Sequence, residues 1–258
     1  MQKSFIKNLK ERLNESKARG IYNLIAFDSL SSTNEYAKTH ASKLPDFTVI
    51  VAQTQTAGKG RLGRNFCSLD GGVYMSILVR PSAEKIQKIT QMTAVAVQDA
   101  IELVFHKTPK IKWVNDLYLG DKKVSGILCE SSFLGEKTDY VVVGIGVNVY
   151  EPDGGFPNEI SEIAGAINSE ESCAREDLII KILECFYDYF TGKEFIEKYR
   201  KNSYLFGKKL EIRVGNERFV GNFVEIDEQS RLVIDTEDGA KKFSSGEVEK
   251  VVVDDKNC

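Results

Sequence analysis

A glycine-rich, cationic loop constrains this chain more than any other stretch. Residues 52–66 read AQTQTAGKGRLGRNF and follow the apolar run 47–52, which is typical of a buried β-strand. Glycine permits positive φ and close backbone approach, so successive N–H groups of such a loop can converge on an anion while the cations supply charge. The loop therefore predicts an anion-binding site. Its candidate residues are Gly58, Lys59, Gly60, Arg61, Gly63 and Arg64.

Two common nucleotide-binding motifs do not fit this loop. Its three glycines have the G-x-G-x-x-G spacing, but that motif opens a crossover helix, whereas residues 65–72 are short and lead into another strand-like run. A Walker A loop fails because Gly60 follows Lys59 where serine or threonine is required. The loop alone is equally consistent with a mobile hairpin carrying solvated cations.

The composition is that of a soluble globular protein. The 258 residues are 42% hydrophobic and 28% charged, without an apolar run that approaches a membrane span. The first residues lack a signal peptide, so we expect a cytoplasmic protein that is not attached to a membrane. A net charge of −3 offers no broad attraction for DNA. Two histidines and five cysteines without a C-x-x-C pair disfavour a histidine base, a zinc site and a disulfide framework.

Hydrophobic periodicity predicts an α+β fold in two domains. Strand-like runs between residues 111 and 149 are typical of an antiparallel meander, and the helical segments would back this sheet. From Gly207 the pattern changes to four short strands, which predicts a small β-barrel. We therefore expect a catalytic domain over 1–205 and a barrel domain over 206–258. The predicted helices cover residues 3–19, 82–107, 178–190 and 193–202. One more predicted helix starts at the capping-box pair Ser32 and Glu35.

Four polar or glycine-rich clusters fall at predicted strand ends and loops. Together they resemble the biotin protein ligase family, also called biotin–[acetyl-CoA-carboxylase] ligases. The resemblance runs from about residue 21 to the C-terminus, and the arginine loop with the W-x-N-D-L-Y and K-x-x-G-I-L stretches makes it specific. The clusters are Ser32, Thr33 and Asn34; Gln55 with the glycine loop; Trp113, Asn115 and Asp116 with Lys123 and Gly126; and residues 144–148, which end in Asn148.

The resemblance implies both an architecture and a reaction. It implies a class II synthetase-like catalytic domain, with a mixed and mainly antiparallel sheet, and an SH3-like C-terminal barrel. Members of the family use ATP and Mg²⁺ to make biotinyl-5′-AMP, and they transfer biotin to one lysine of a biotin carboxyl carrier protein domain of a biotin-dependent carboxylase. The metal ligands stay unknown at this point, and a homodimer stays open.

The resemblance also implies roles for individual residues. Ser32, Thr33 and Gln55 would meet the biotin head group, with Asn34 in the same cluster, and Gly126 would let the ligand approach the backbone. Lys123 would contact the biotin carboxylate and the phosphoryl oxygens.

Other residues would serve the nucleotide and the transfer step. Trp113 and Asn115 would border the adenine, and Asn148 would approach the phosphates or the metal. Arg61 would join Lys123 as a catalytic cation, and Asp116 would accept a proton from the acceptor lysine. The glycine loop would order over the adenylate and exclude water.

The chain departs from the family pattern at several positions. Lys59 and Leu62 stand where many relatives have arginine, Val114 replaces a frequent proline, and Phe66 replaces a common tryptophan. Lys59 keeps the charge but loses the two-pronged arginine geometry.

Three alternatives compete with biotin ligation. A lipoate-protein ligase would share fold and chemistry, although its loop usually differs. A DNA-binding repressor would need an N-terminal domain larger than the 20 residues before the first predicted core strand. A nonenzymatic biotin or nucleotide sensor is disfavoured by Asp116, Lys123 and Arg61.

Overall fold

The computed structural model describes residues 2–135, 137–167 and 174–252. Its helices are α1 (Gln2–Glu15), α2 (Thr33–His40), α3 (Ala83–Phe105), α4 (Ala174–Thr191) and α5 (Ile196–Lys201). Its strands are β1 (Asn23–Leu30), β2 (Thr48–Gln55), β3 (Gly72–Val79), β4 (Lys110–Lys112), β5 (Asp116–Leu119), β6 (Lys122–Leu134), β7 (Lys137–Asn148), β8 (Lys209–Val214), β9 (Glu217–Ile226), β10 (Leu232–Thr236), β11 (Gly239–Phe243) and β12 (Glu247–Val252).

A seven-stranded mixed sheet carries the larger part of the chain. The strand order is β1-β2-β3-β7-β6-β5-β4, in which β1 and β2 are parallel and every other pair is antiparallel. Strands β4 to β7 form the predicted meander. The α+β fold class with a mainly antiparallel sheet is therefore confirmed.

The two faces of this sheet are covered differently. Helices α3 and α4 pack together over one face, where Val73, Met75 and Val143 belong to the main apolar core. The short helix α2 lies on the other face, where Ala37 and Ala41 form a small cluster with strand residues. Beside α2 none of the described helices covers this second face, and a cavity occupies the space.

A second sheet forms the C-terminal part. Its five antiparallel strands are ordered β11-β10-β9-β8-β12, so the sequence correctly indicated a small β unit but missed its fifth strand. Hydrogen bonds connect the C-terminal part to the rest of the chain: Trp113 Nε1, just after β4, donates to the Ser230 carbonyl at 3.3 Å, and Arg200 Nε of α5 donates to the Ile226 carbonyl at the end of β9 at 2.6 Å. A division at residue 205 stays a prediction.

The first helix is shorter than predicted. It ends at Glu15 instead of Arg19, and β1 begins at Asn23. Ser16 Oγ donates to the Leu13 carbonyl at 2.8 Å, and the Ala18 N–H donates to Ser16 Oγ at 3.1 Å. This side chain thus competes with the helical backbone bonds and ends the helix early. No helix within the described ranges is long and apolar enough to cross a membrane.

Candidate active site

A cavity of about 550 Å³ lies on the uncovered face of the large sheet, under the glycine loop. Every predicted site residue except Gly58 and Gly63 lines it. The residues brought together are Ser32, Thr33, Asn34, Gln55, Lys59, Gly60, Arg61, Arg64, Trp113, Asn115, Asp116, Lys123, Gly126 and Asn148.

A buried network of neutral groups forms one end of the cavity. Ser32 caps α2 by accepting the Glu35 N–H at 3.5 Å, which confirms the capping position. Gln55 Oε1 then accepts from the Thr33 N–H at 2.8 Å and lies 3.1 Å from Thr33 Oγ1. Ser76 Oγ lies 2.7 Å from Thr33 Oγ1, so the strand β3 holds the start of the helix. Hydroxyl and amide groups are thereby fixed at the cavity wall.

Asn34 ties this network to strands β6 and β7. Its Nδ2 donates to Glu130 Oε2 at 2.7 Å, and its Oδ1 lies 2.6 Å from Ser76 Oγ. A Cβ added at Gly144 would lie only 2.3 Å from Asn34 Oδ1. The glycine is therefore required for Asn34 to reach its place beside the sheet.

Two paired glycines form the floor of the cavity. Gly126 on β6 and Gly146 on β7 are cross-strand partners, and the ring of Phe66 lies against both. A Cβ at Gly146 would approach the Phe66 ring to 2.5 Å, and one at Gly126 would lie 3.2 Å from the ring and from Lys123 Nζ. Because neither glycine has a side chain, the Phe66 ring and the Lys123 ammonium can lie close to the backbone of the sheet.

Charged side chains form the other end. Lys123 Nζ and Asp116 Oδ1 are 2.8 Å apart, and both side chains are partly exposed to the cavity. Arg61 donates to Asn115 Oδ1 at 3.1 Å and to the Gly246 carbonyl at 2.9 Å. This arginine therefore connects the glycine loop, the large sheet and the C-terminal sheet.

A carboxylate from the second sheet also reaches the loop. Glu247 pairs with Arg64 and, at 2.8 Å, with Arg213. Burial alone would raise the pKa of Glu247, but the hydrogen bonds from the two arginines outweigh it and hold the pKa below its ordinary value. The contact therefore stays ionic at neutral pH.

The glycine loop folds as a tight hairpin. The Gly60 N–H donates to the Arg64 carbonyl at 2.7 Å, and the Phe66 N–H donates to the Gly58 carbonyl at 2.8 Å. Gly58 lies outside the cavity lining because it packs under Gln55 and the neighbouring Ser68, where a Cβ would be 2.5 Å from Ser68 Oγ. Gly63 has φ +74°, which its turn requires. For these two glycines the structure gives a local backbone reason, and their contact with a ligand stays a prediction.

A further stretch, the covering segment of residues 160–165, closes the cavity beside Lys123. The Lys123 N–H donates to the Ile163 carbonyl at 2.7 Å, and the Gly165 N–H donates to the Lys123 carbonyl at 2.9 Å. Asn148 Nδ2 donates to the Gly165 carbonyl at 3.0 Å. Asn148 thus positions this segment, which the sequence indicated only as a surface connection.

Several cavity residues were not predicted from the sequence. Lys112 directly precedes the predicted site residue Trp113, and the sequence indicated only that it lies on a strand. In the structure Lys112 pairs with Asp116 on the next strand, so both side chains lie on the cavity face of the sheet. Glu247 and Glu249 lie on the unpredicted strand β12. Their signal was the alternating pattern EVEKVV, which is typical of a half-buried strand.

Comparisons with known proteins agree with this geometry. Residues 26–148 match the Biotin/lipoate A/B protein ligase family, and residues 205–251 match the Biotin protein ligase C terminal domain. The bifunctional ligase/repressor BirA of Bacillus subtilis is 36% identical over 238 residues, which are 88% of this chain and 73% of that protein.

Solved structures give the same result. Biotin protein ligase from Aquifex aeolicus in complex with biotin and ATP superimposes with a TM-score of 0.77 at 31% identity, covering 87% of this chain and 97% of that one. The Leishmania major enzyme in complex with biotinyl-5-AMP gives a TM-score of 0.65 at 25% identity, covering 86% and 99%. The C-terminal match and the relatives are those of biotin ligases, which decides against the lipoate alternative. The chain therefore belongs to the biotin protein ligase family and is an ATP-dependent biotin ligase.

Proposed function

We propose that the cavity adenylates biotin with ATP and then passes biotin to a lysine of a biotin carboxyl carrier protein domain. One observation carries this proposal: a neutral hydrogen-bonding end and a cationic end share one cavity, and Lys123 lies at the cationic end beside the paired glycines. A ureido group requires neutral donors and acceptors, whereas a triphosphate requires cations and N–H groups. A ligand with one end of each kind fits both halves at once.

The neutral end would hold the biotin head group. Thr33 and Gln55 now bond each other, and Ser32 caps the helix, so their remaining donor and acceptor capacity faces the cavity. The paired glycines of the floor let the Phe66 ring lie directly on the sheet, and the bicyclic ring and its chain would run beside this ring. The biotin carboxylate would then extend toward Lys123.

Lys123 and Asp116 would exchange partners during the reaction. Their ion pair neutralises both charges before ligands bind. When biotin and ATP enter, the Lys123 ammonium would turn to the carboxylate and the α-phosphate, where it offsets the repulsion between two anions as the phosphoryl group transfers. Asp116 would thereby become free to accept a proton from the acceptor lysine, which must be neutral to attack the mixed anhydride.

Nucleotide binding would involve the remaining predicted residues. Trp113 and Asn115 would border the adenine, and Arg61 would contact the phosphates from the loop side, with Lys59 and Arg64 nearby. The described residues contain no group of three metal-ligating acids, histidines or cysteines. This fits Mg²⁺ that would arrive on the phosphates of ATP, because Mg²⁺ is often bound through substrate phosphates and few protein ligands. Asn148, two residues beyond Gly146 on β7, would approach the phosphate next to the glycine floor. The ion would screen charge on the departing pyrophosphate.

A single incubation tests the assignment. The protein is mixed with ATP, Mg²⁺, biotin and a biotin carboxyl carrier domain, and the acceptor mass is followed. We expect one biotin per acceptor, and none when the acceptor lysine is changed to arginine. Addition of lipoate or octanoate in place of biotin would contradict the proposal, as would biotin transfer that persists without ATP.

Two expectations on partners stay predictions. The net charge of −3 predicts no sequence-specific DNA binding, and a salt-resistant shift in an anisotropy assay would contradict it. A homodimer stays open, and cytoplasmic location is likewise a prediction from the sequence.

A further inference from the structure

Lys112 is a cation in the cavity to which the reaction described above gives no role. It lies on the edge strand β4, and its side chain is half-buried among the cavity residues. A lysine that is withdrawn from water without an ionic partner requires an explanation, because burial disfavours the ammonium form. Burial indeed lowers the pKa of Lys112 below its ordinary value.

The strand register places Lys112 in line with the reaction centre. Gly146 pairs with Gly126, Gly126 pairs with Asp116, and Asp116 pairs with Lys112. Directly paired residues of neighbouring strands point to the same face of a sheet, and neighbouring strands are about 4.8 Å apart. Lys112 therefore lies on the cavity face, roughly 10 Å beyond the glycine floor on the side away from β7.

The other cations of the cavity already have partners. Lys123 pairs with Asp116, and Lys59 pairs with Glu35 at 2.5 Å. Arg64 pairs with Glu247, and Arg61 is held by Asn115 and a backbone carbonyl. Lys112 makes no ion pair with any carboxylate in the part of the chain that the structure describes. Its ammonium lies only near an aromatic ring, 5.7 Å from the Tyr118 centroid.

Charges of both signs face Lys112. Asp116 and Glu247 favour its ammonium form, whereas Lys123 and Arg64 oppose it. The local field therefore supplies no fixed counter-ion. An incoming polyanion would both neutralise the ammonium and compensate for its lost hydration.

We propose that Lys112 binds the β- and γ-phosphates of ATP and retains the pyrophosphate as it leaves. This inference rests on the proposed function and adds a phosphate-binding residue to it. The row across the sheet sets the order: biotin beside Phe66 at the paired glycines, the α-phosphate at Lys123 and Asp116, and the departing phosphates at Lys112 on the edge strand. Lys112 would then act in adenylation and in its reversal, but not in transfer to the acceptor.

The matched control is Lys110, two residues earlier on the same strand. Strand alternation places it on the same face, but it is exposed and does not line the cavity. The variants are Lys112→Met, which keeps the apolar stem beside Tyr118 without the charge, Lys112→Arg, which keeps the charge, and Lys110→Met. Lys112→Gln serves as a second neutral variant if the methionine variant does not fold.

Three measurements on the full chain separate the outcomes. Pyrophosphate release yields the KM for ATP, calorimetry yields the Kd for biotin, and purified biotinyl-5′-AMP with a carrier domain yields the transfer rate alone. For Lys112→Met we expect the KM for ATP to rise about 10- to 100-fold, as for loss of a charged hydrogen bond, and pyrophosphorolysis of the adenylate to slow similarly. Biotin Kd and transfer from the purified adenylate should stay within about twofold. Lys112→Arg should restore most of the ATP affinity, and Lys110→Met should resemble the parent protein.

The inference fails if Lys112→Met leaves the KM for ATP unchanged. It also fails if biotin binding or transfer falls as much as adenylation, since that pattern means that Lys112 only supports the fold. Failure of the proposed function is distinguishable, because the unmodified protein would then transfer no biotin at all.

Discussion

The two ends of the cavity are built by different physical means. At the neutral end, Thr33 and Asn34 are almost wholly buried, Gln55 is half-buried, and short hydrogen bonds link the three directly or through Ser76. At the charged end, Lys123 and Arg64 are partly exposed and pair with carboxylates that an anion can displace. The first arrangement favours rigid recognition of a neutral group. The second favours a charge rearrangement during reaction, so mutations at the two ends should affect different steps.

Removal of the Lys123 ammonium should have the largest effect on the rate of the reaction. We expect Lys123→Ala to slow adenylate formation by about 10³-fold, because that charge offsets repulsion as the carboxylate attacks phosphorus. Biotin affinity should fall much less, since the neutral network is untouched. Pyrophosphate release and biotin titration measure the two quantities. Equal losses in both would mean that Lys123 only holds biotin, and the contrast between the ends would disappear.

Distortion of the neutral end should give the converse pattern. Gly144→Ala places a methyl group against Asn34 Oδ1 and should weaken biotin binding by roughly 10- to 100-fold, while the KM for ATP stays within about threefold. The double variant Asn34→Ala with Gly144→Ala tests the cause. If displacement of Asn34 is responsible, the second substitution should add little to the first. If the losses in biotin affinity of the two single variants add up in the double variant, the effect of Gly144→Ala would come from a change in the backbone of β7.

The elements of the fold were predictable from the sequence for a clear reason. Helix α3 repeats apolar residues at a period near 3.6, and strands such as β3 and β7 are apolar runs bounded by glycines or turns. The clusters at strand ends were predictable as well, because residues at the ends of neighbouring strands converge in space.

Register and long-range contacts were not predictable in the same way. The alignment of Gly146, Gly126, Asp116 and Lys112 depends on the pairing of four strands, which local propensity does not specify. Glu247 reaches the loop from a strand more than 180 residues later in the chain, and no local pattern reports such a contact. The sequence therefore indicated most of the residues that line the cavity, but not Glu247, whose carboxylate pairs with Arg64 of the loop.

The connection between the loop and the C-terminal sheet should control adenylate retention. Arg61→Gly removes the bonds to Asn115 and to the Gly246 carbonyl. We expect the variant to make biotinyl-5′-AMP but to release it about 10-fold faster, so that lysines of bystander proteins become biotinylated. Stopped-flow release and limited proteolysis of residues 58–66, each with and without ligand, provide the measurements. Unchanged release and unchanged cleavage together would contradict a closing role for the loop.

The contact between Arg64 and Glu247 should have the smallest effect. The side chain of Arg64 is 64% exposed and that of Arg213, the other partner of Glu247, is 32% exposed, so Glu247→Gln, which breaks both ion pairs, should cost at most about 1 kcal/mol and raise adenylate release less than about fivefold. The folded-state pKa of Glu247 is lowered from 4.5, so its stabilisation is present above that value and is lost as the pH falls through the lowered pKa. The difference in unfolding free energy between the parent and Glu247→Gln should therefore be constant from pH 7 to pH 5 and shrink at lower pH. Glu237→Gln, which removes an exposed carboxylate from the same sheet, provides the control for net charge. Denaturant titrations that give the same pH dependence for both variants would show that the ion pairs of Glu247 add nothing, and the link between the glycine loop and the C-terminal sheet would then be assigned to Arg61.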